Sequence, residues 1–217
     1  MVKPTNILEN PWKLWYELRT DMDAGTSGYY GDRLKEVCSM DSVETFHEYY
    51  VYMKSPDQMP IHSNIYIFHE DVSPMWECLP DGGAWTVRMR RDDIRLTKAW
   101  ENLIFSCIGE GLGSKNVAGV VLGSRPKEFV LSVWLRSGES SELRFETIAH
   151  LKEILSLEEG DTLQYKDFAS CLRDGSGRLH AVTYRVKSNT ASRKQSDHKN
   201  RKYLLPDPVT GVFTFNY

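Results

Sequence analysis

Val117-Ala-Gly-Val-Val-Leu122-Gly-Ser-Arg125-Pro-Lys127-Glu-Phe129-Val-Leu-Ser-Val-Trp134-Leu135 reads as two apolar strands separated by a short, basic, hairpin-like turn. Two β-rich runs joined this closely must lie antiparallel, because a parallel return needs a crossover of a dozen residues or more. Just upstream, Asp92 to Glu110 carries Leu96, Trp100, Leu103, Ile104, Cys107 and Ile108 at helical spacing. That stripe predicts a long helix with one apolar face to cover the sheet.

Further strands are predicted on both sides. Leu8 to Leu18 alternates Trp12, Leu14, Tyr16 and Leu18, with Trp15 on the other face; Ile61 to His69 and Ala84 to Met89 follow the same period. Leu163 to Phe168 and Leu179 to Val186 complete the set. Asp41-Ser-Val-Glu44 predicts a helix start, with Asp41 as cap, Glu44 as its box partner, and Val43, Phe46 and Tyr50 on one face. Thr147 to Leu157 predicts a third helix, with Ile148, Leu151, Ile154 and Leu155 inward. About seven strands interrupted by three helices predict an α+β fold, a single domain whose antiparallel sheet carries helices on one face. The other face is left for a ligand.

The 217 residues are 41% hydrophobic and 26% charged, as expected of a soluble globular chain large enough to bury a core. No CxxC pair occurs among the four cysteines, which argues against zinc and fits a reducing, cytoplasmic setting. Neither an apolar run long enough for a membrane span nor the apolar core of a secretory signal is present. With a net charge of −3, any nucleic acid must be held at a local basic site rather than by a global field. There is no clustered Glu motif for a catalytic metal, no Gly-Lys-Ser/Thr phosphate loop and no paired nucleophile and base, so no enzyme and no cofactor is expected.

The chemistry sits among six tryptophans. Trp12, Trp15, Trp85, Trp100 and Trp134 fall in predicted strands and helices and read as core. Trp76 is different: in Ser73-Pro-Met-Trp76-Glu77 an indole stands beside a carboxylate on a proline-stiffened turn. A flat aromatic face next to an acceptor suits a purine, guanine above all, whose Watson–Crick edge presents adjacent N–H donors. A second aromatic candidate is the Tyr29-Tyr30 pair at the tip of the polar loop Thr20 to Gly31. Lys187 to Lys202 is a basic, polar stretch predicted to be an exposed loop.

Asn10-Pro-Trp12-Lys-Leu-Trp15, Asp41-Ser-Val-Glu44, Glu-Asp-Val-Ser-Pro-Met-Trp76-Glu77, Gly-Gly-Ala-Trp85, Ala-Trp100-Glu-Asn-Leu with Cys-Ile-Gly109-Glu110, and Gly119-Val-Val with Val-Trp134 occur in one order. Taken together, they resemble the eukaryotic translation initiation factor 4E family, which binds the methylated guanosine cap of messenger RNA. The resemblance covers roughly residues 6–203, leaving 1–6 as a loose N-terminus and 204–217 as an extension without an assigned role. It implies a curved sheet of seven to eight strands with the cap in its concave face and three long helices on the convex face.

Position by position, the resemblance places the cap base between Tyr30 (or its neighbour Tyr29) and Trp76, with Glu77 accepting from the guanine edge. Arg125 and Arg193 are the implied phosphate cations; a further family lysine falls on Val130, which leaves Lys127 as the other cation of that turn, and a phosphorylatable serine falls near Ser196. The implied partner is a scaffold of the initiation factor 4G type, gripped on the convex face around Leu8, Val43, His47 and Asn102. Two of those positions depart from the family: His47 stands where it has Trp, and Asn102 where it has an acid. That departure leaves two roles open, an initiation factor that recruits capped messenger RNA or a cap-binding repressor that competes with it.

Overall fold

The computed structural model describes residues 6–19, 30–112, 115–138, 140–175, 181–186 and 213–214. Its strands are β1 (Ile7–Leu18), β2 (Lys35–Ser42), β3 (Ser63–His69), β4 (Gly83–Arg90), β5 (Val117–Ser124), β6 (Glu128–Leu135), β7 (Thr162–Asp167), β8 (Val182–Arg185) and the two-residue β9 (Phe213–Thr214). They form one sheet in the order β2-β1-β3-β5-β6-β4-β7-β8-β9, antiparallel except where β9 lies parallel to β8. Register shifts in β1, between Ile7 and Trp12 and between Leu14 and Trp15, and in β5 near Gly119 add the local bend and twist that curve a sheet. The helices are α1 (Val43–Tyr50), α2 (Leu96–Ile108), α3 (Ser141–Ile154) and α4 (Phe168–Asp174).

Away from the register shifts, alternation separates two faces. On one, Leu14, Ile67, Val120, Val133, Trp85 and Tyr165 stand in register across six strands. There they join Phe46 of α1, Leu96, Trp100, Leu103 and Ile104 of α2, and Ile148 and Leu151 of α3 in one buried cluster. On the other face Tyr66, Phe68, Ala84, Val121 and Trp134 form a smaller cluster with Phe168 of α4. Trp12, Trp85, Trp100 and Trp134 are buried, and Trp15 packs half-buried against the smaller cluster.

The structure corrects several predicted boundaries. Strand β2 was not expected: Lys35 and Glu36 open it, and only Cys38, Met40 and Ser42 are buried along it. Helix α1 is capped by Ser42, not Asp41, because Ser42 is still extended at φ −145° and ψ 160°. Its Oγ accepts from the Thr45 amide at 3.3 Å, and Thr45 Oγ1 accepts from the Ser42 amide at 3.1 Å. Glu44 is therefore not the box partner and instead accepts from Asn6 Nδ2 at 3.0 Å. Helix α2 begins at Leu96 rather than Asp92, since arginines engage the two acids ahead of it: Asp92 by Arg90 at 2.7 Å and Asp93 by Arg95 at 2.8 Å. Helix α4 was not foreseen, for seven residues give too few turns to show a period.

Gly119 marks a point of close packing between β5 and β3. A Cβ there would meet the Ile67 carbonyl and the Phe68 ring at about 2.5 Å, closer than any side chain tolerates. Gly119→Ala should lower stability by about 1–3 kcal/mol through overpacking. In urea this appears as a reduced midpoint with an unchanged slope.

Candidate functional site

The open face of the sheet carries a cavity of about 1090 Å³ that reaches from Glu17 on β1 to Lys166 on β7. Its aromatic wall is Trp76. Met75 leads into a 3-10 turn, Trp76–Cys78, closed by Cys78 N donating to Met75 O at 3.1 Å and Leu79 N to Trp76 O at 2.9 Å. The indole remains half-buried at the cavity wall. Behind it stands Phe168, with rings 24° from parallel and centroids 6.1 Å apart, and Phe168 rests in turn on Trp134 at 4.6 Å. Helix α4 thus buttresses the predicted stacking residue. Glu77 follows on the same turn, exposed and lining the cavity.

Arg125 sits at the β5–β6 turn, where its amide donates to the Glu128 carbonyl at 2.9 Å. Arg91 braces the turn from outside, donating to Ser124 Oγ at 3.0 Å and to the Arg125 carbonyl at 2.8 Å, with its guanidinium over the Phe129 ring at 4.4 Å. The Arg125 guanidinium turns into the cavity and donates to Asn64 Oδ1 at 2.9 Å and to the Ser124 carbonyl at 2.9 Å. Burial lowers its pKa from the ordinary arginine value, the direction expected for a desolvated cation.

Lys127 is exposed at the hairpin tip and is not among the cavity-lining residues, because the turn directs Arg125 inward and leaves Lys127 in solvent. Arg19, Arg33, Arg88 and Lys166 line the cavity instead. No motif marked them in advance, but Arg88 and Lys166 share the strand parity of Ala84, and that parity is the available signal. Tyr30 opens the 3-10 turn Tyr30–Arg33. Its side chain, together with Tyr29, Arg193 and Ser196, lies outside the described residues.

On the helix-covered face Val43 and His47 are exposed along α1, and Leu8 is half-buried against the main core. Phe46 and Tyr50 meet Phe105 of α2 at ring separations of 6.1 and 5.2 Å, and Phe105 is itself 48% exposed. The Tyr50 hydroxyl donates to Glu101 at 3.0 Å; its burial first, and then that carboxylate, push its pKa up. Asn102 is committed elsewhere, with its amide donating to the Ile154 carbonyl at the end of α3 at 3.1 Å.

Among the described residues no three His, Cys, Asp or Glu gather as they would around a metal ion, and no helix is long and apolar enough to cross a membrane.

Comparison with known proteins agrees with this geometry. The family model for eukaryotic initiation factor 4E matches residues 7–183. A translation initiation factor NCBP of Triticum aestivum is 31% identical over 166 residues, 75% of this chain and 70% of its own. Initiation factor 4E-4 of Caenorhabditis elegans is 32% identical over 156 residues, 70% of this chain and 73% of its own. Among solved structures, Ascaris suum eIF4E-3 with an m2,2,7G cap superposes with a TM-score of 0.68 at 26% identity, covering 75% of this chain and 91% of that one. C. elegans eIF4E-3 with the 4E-binding protein Mextli and a cap analog superposes at 0.69 and 27%, covering 80% and 98%. The chain belongs to the eukaryotic initiation factor 4E family.

Proposed function

We propose that this chain binds the 7-methylguanosine cap of messenger RNA in its open-face cavity. It then delivers the message to the cytoplasmic initiation machinery through a scaffold of the 4G type on α1 and α2. The observation that carries this is that Trp76, Glu77 and Arg125 line one cavity, roomy enough for a nucleotide, on a sheet whose other face is covered by helices. Methylation at N7 makes the guanine a delocalised cation. Stacking on an aromatic is worth ~1–3 kcal/mol, and a cation over an electron-rich ring adds ~0.5–2 kcal/mol. Glu77 takes charge-assisted bonds from the guanine edge and offsets the base's charge. Tyr30 supplies the opposing ring, a weaker platform than indole, and Arg125 and Arg193 meet the phosphates, with Lys127 nearer the chain beyond them. The role is one of binding, without turnover of the cap.

The nematode relatives support both halves, since solved complexes hold m7G and m2,2,7G caps as well as the binding protein Mextli. On the scaffold side, Val43 and the exposed Phe105 ring offer apolar area. A polar His47 and a committed Asn102 favour the competing role of repressor, in which the cap is bound and the scaffold held weakly.

Titration with 7-methyl-GTP should quench tryptophan fluorescence saturably, with GTP at least about tenfold weaker, or ~1.4 kcal/mol. Equal responses to the two nucleotides would sink the cap assignment. Trp76→Ala should abolish the quench, and Glu77→Gln should weaken 7-methyl-GTP by about 1.5–3 kcal/mol, the worth of bonds to a charged acceptor. For the scaffold face, His47→Trp should tighten a helical Tyr-x-x-x-x-Leu-hydrophobic peptide at least several-fold in a pull-down or calorimetric titration, by restoring apolar contact. Unchanged affinity would place the partner elsewhere.

A further inference from the structure

The floor of the cavity holds a buried carboxylate that the cap reading does not use. Glu17 is 1% exposed, on the same side of β1 as Trp15 and directly paired with Asn64 of β3. Its Oε2 accepts from Asn64 Nδ2 at 2.6 Å and from the Tyr66 hydroxyl at 2.7 Å, and its Oε1 lies 3.5 Å from Arg33 Nε. Asn64 passes the connection on. With its amide nitrogen fixed by Glu17, its oxygen can only face the other way, where it accepts from Arg125 Nη2 at 2.9 Å. The Arg125 guanidinium lies over Gly123, where a Cβ would come within 2.7 Å of Asn64 Oδ1 and 2.9 Å of Arg125 Nη2. A residue without a side chain is what leaves room for the pair.

We infer that Glu17 is a positioning residue for phosphate recognition, orienting Asn64 so that Asn64 holds the Arg125 guanidinium toward the phosphate chain. The inference rests on the cap-binding reading and extends it. A buried carboxylate is costly to desolvate and is kept only where hydrogen bonds compensate it. All the partners named here are cavity-lining side chains. Preorganising an arginine fork lowers the entropy lost when it grips an anion.

Two effects of Glu17 oppose each other, and their sign decides the matter. Its negative charge near the subsite repels phosphate, so by field alone Glu17→Gln would tighten a triphosphate ligand. Loss of positioning would loosen it, because a neutral amide oxygen holds the Asn64 and Tyr66 donors less strongly than a carboxylate, and an amide nitrogen turned toward Asn64 Nδ2 sets donor against donor.

The experiment titrates full-length wild type, Glu17→Gln, Asn64→Ala, Tyr66→Phe and the Glu17→Gln/Asn64→Ala double variant with 7-methylguanosine and with 7-methyl-GTP. The readout is the ratio of the two Kd values. Glu17→Gln should reduce the triphosphate advantage at least fivefold while the nucleoside Kd moves less than twofold. Asn64→Ala should do the same, and the double variant should be no worse than the poorer single, since both cut one relay. An unchanged or enlarged advantage in Glu17→Gln overturns the inference. If that variant does not fold, an unchanged ratio in both Asn64→Ala and Tyr66→Phe overturns it, and a reduced ratio in Asn64→Ala supports it. Wild type that fails to prefer 7-methyl-GTP over GTP removes the cap reading itself, an outcome distinct from retained preference with an unmoved ratio.

Discussion

The two-residue period of the sheet is the constraint on which everything else depends. Across β1, β3, β5, β6, β4 and β7 the pairing keeps one register but for the shift near Gly119, so one set of side chains faces α1 to α3 and the other faces the cavity. A slip of one residue in β1 would drive Glu17 into the apolar cluster and turn Leu14 toward solvent. The helix-covered face is dry and large, with Trp85, Leu103, Leu122 and Leu131 almost wholly buried. That burial holds the sheet in shape while the open face is left polar enough to take a charged ligand. Fold stability and ligand recognition are thereby assigned to opposite faces of the same strands.

Much of this division was legible in the residues. The alternation of Trp12, Leu14 and Tyr16 against Trp15 named both faces of β1, and the stripe from Leu96 to Ile108 identified the helix that seals one of them. The hairpin carrying Arg125 was readable because both of its strands are apolar and its turn is not. Segments whose structure comes from tertiary contact were not readable. β2 has little apolar alternation and is held by pairing with β1, and α4 is seven residues long and held by Phe168 against Trp134. The Asp41–Glu44 capping box failed for a related reason. The spacing from Asp41 to Glu44 pointed to Asp41, but strand β2 continues one residue past it and leaves Ser42 as the cap. Among the cavity-lining residues, Trp76, Glu77 and Arg125 were singled out in the sequence, whereas Glu17, Asn64 and Tyr66 carry no local signature and come together only when β1 and β3 pair.

The charge of the cavity also makes sense only at this level. The whole chain is at −3, yet the described lining includes Arg19, Arg33, Arg88, Arg125 and Lys166 against Glu17, Glu77 and Glu128. Four of those five cations are arginine, whose planar fork suits phosphate better than an ammonium does and whose charge survives burial. The acids are distributed by task. Glu77 is exposed at the rim beside Trp76, where a base edge would meet it; Glu128 pairs with Arg88, and Glu17 is sunk in the floor.

A buried acid beneath the proposed phosphate subsite looks self-defeating if affinity is only a sum of charges. The geometry gives it another purpose. Arginine has many rotamers, and a guanidinium projecting freely into a 1090 Å³ cavity would sample most of them. The Arg125 fork is instead bound by the Asn64 side chain and the Ser124 carbonyl, with Asn64 fixed by Glu17. Glycine at 123 removes the one side chain that would intrude. The field of Glu17 subtracts from phosphate attraction, but Arg33 at 3.5 Å opposes it, while the orientation it imposes acts through Asn64 on the donor. In a partly desolvated site a fixed donor gains more from an incoming anion than a mobile one, because no reorganisation remains to be done.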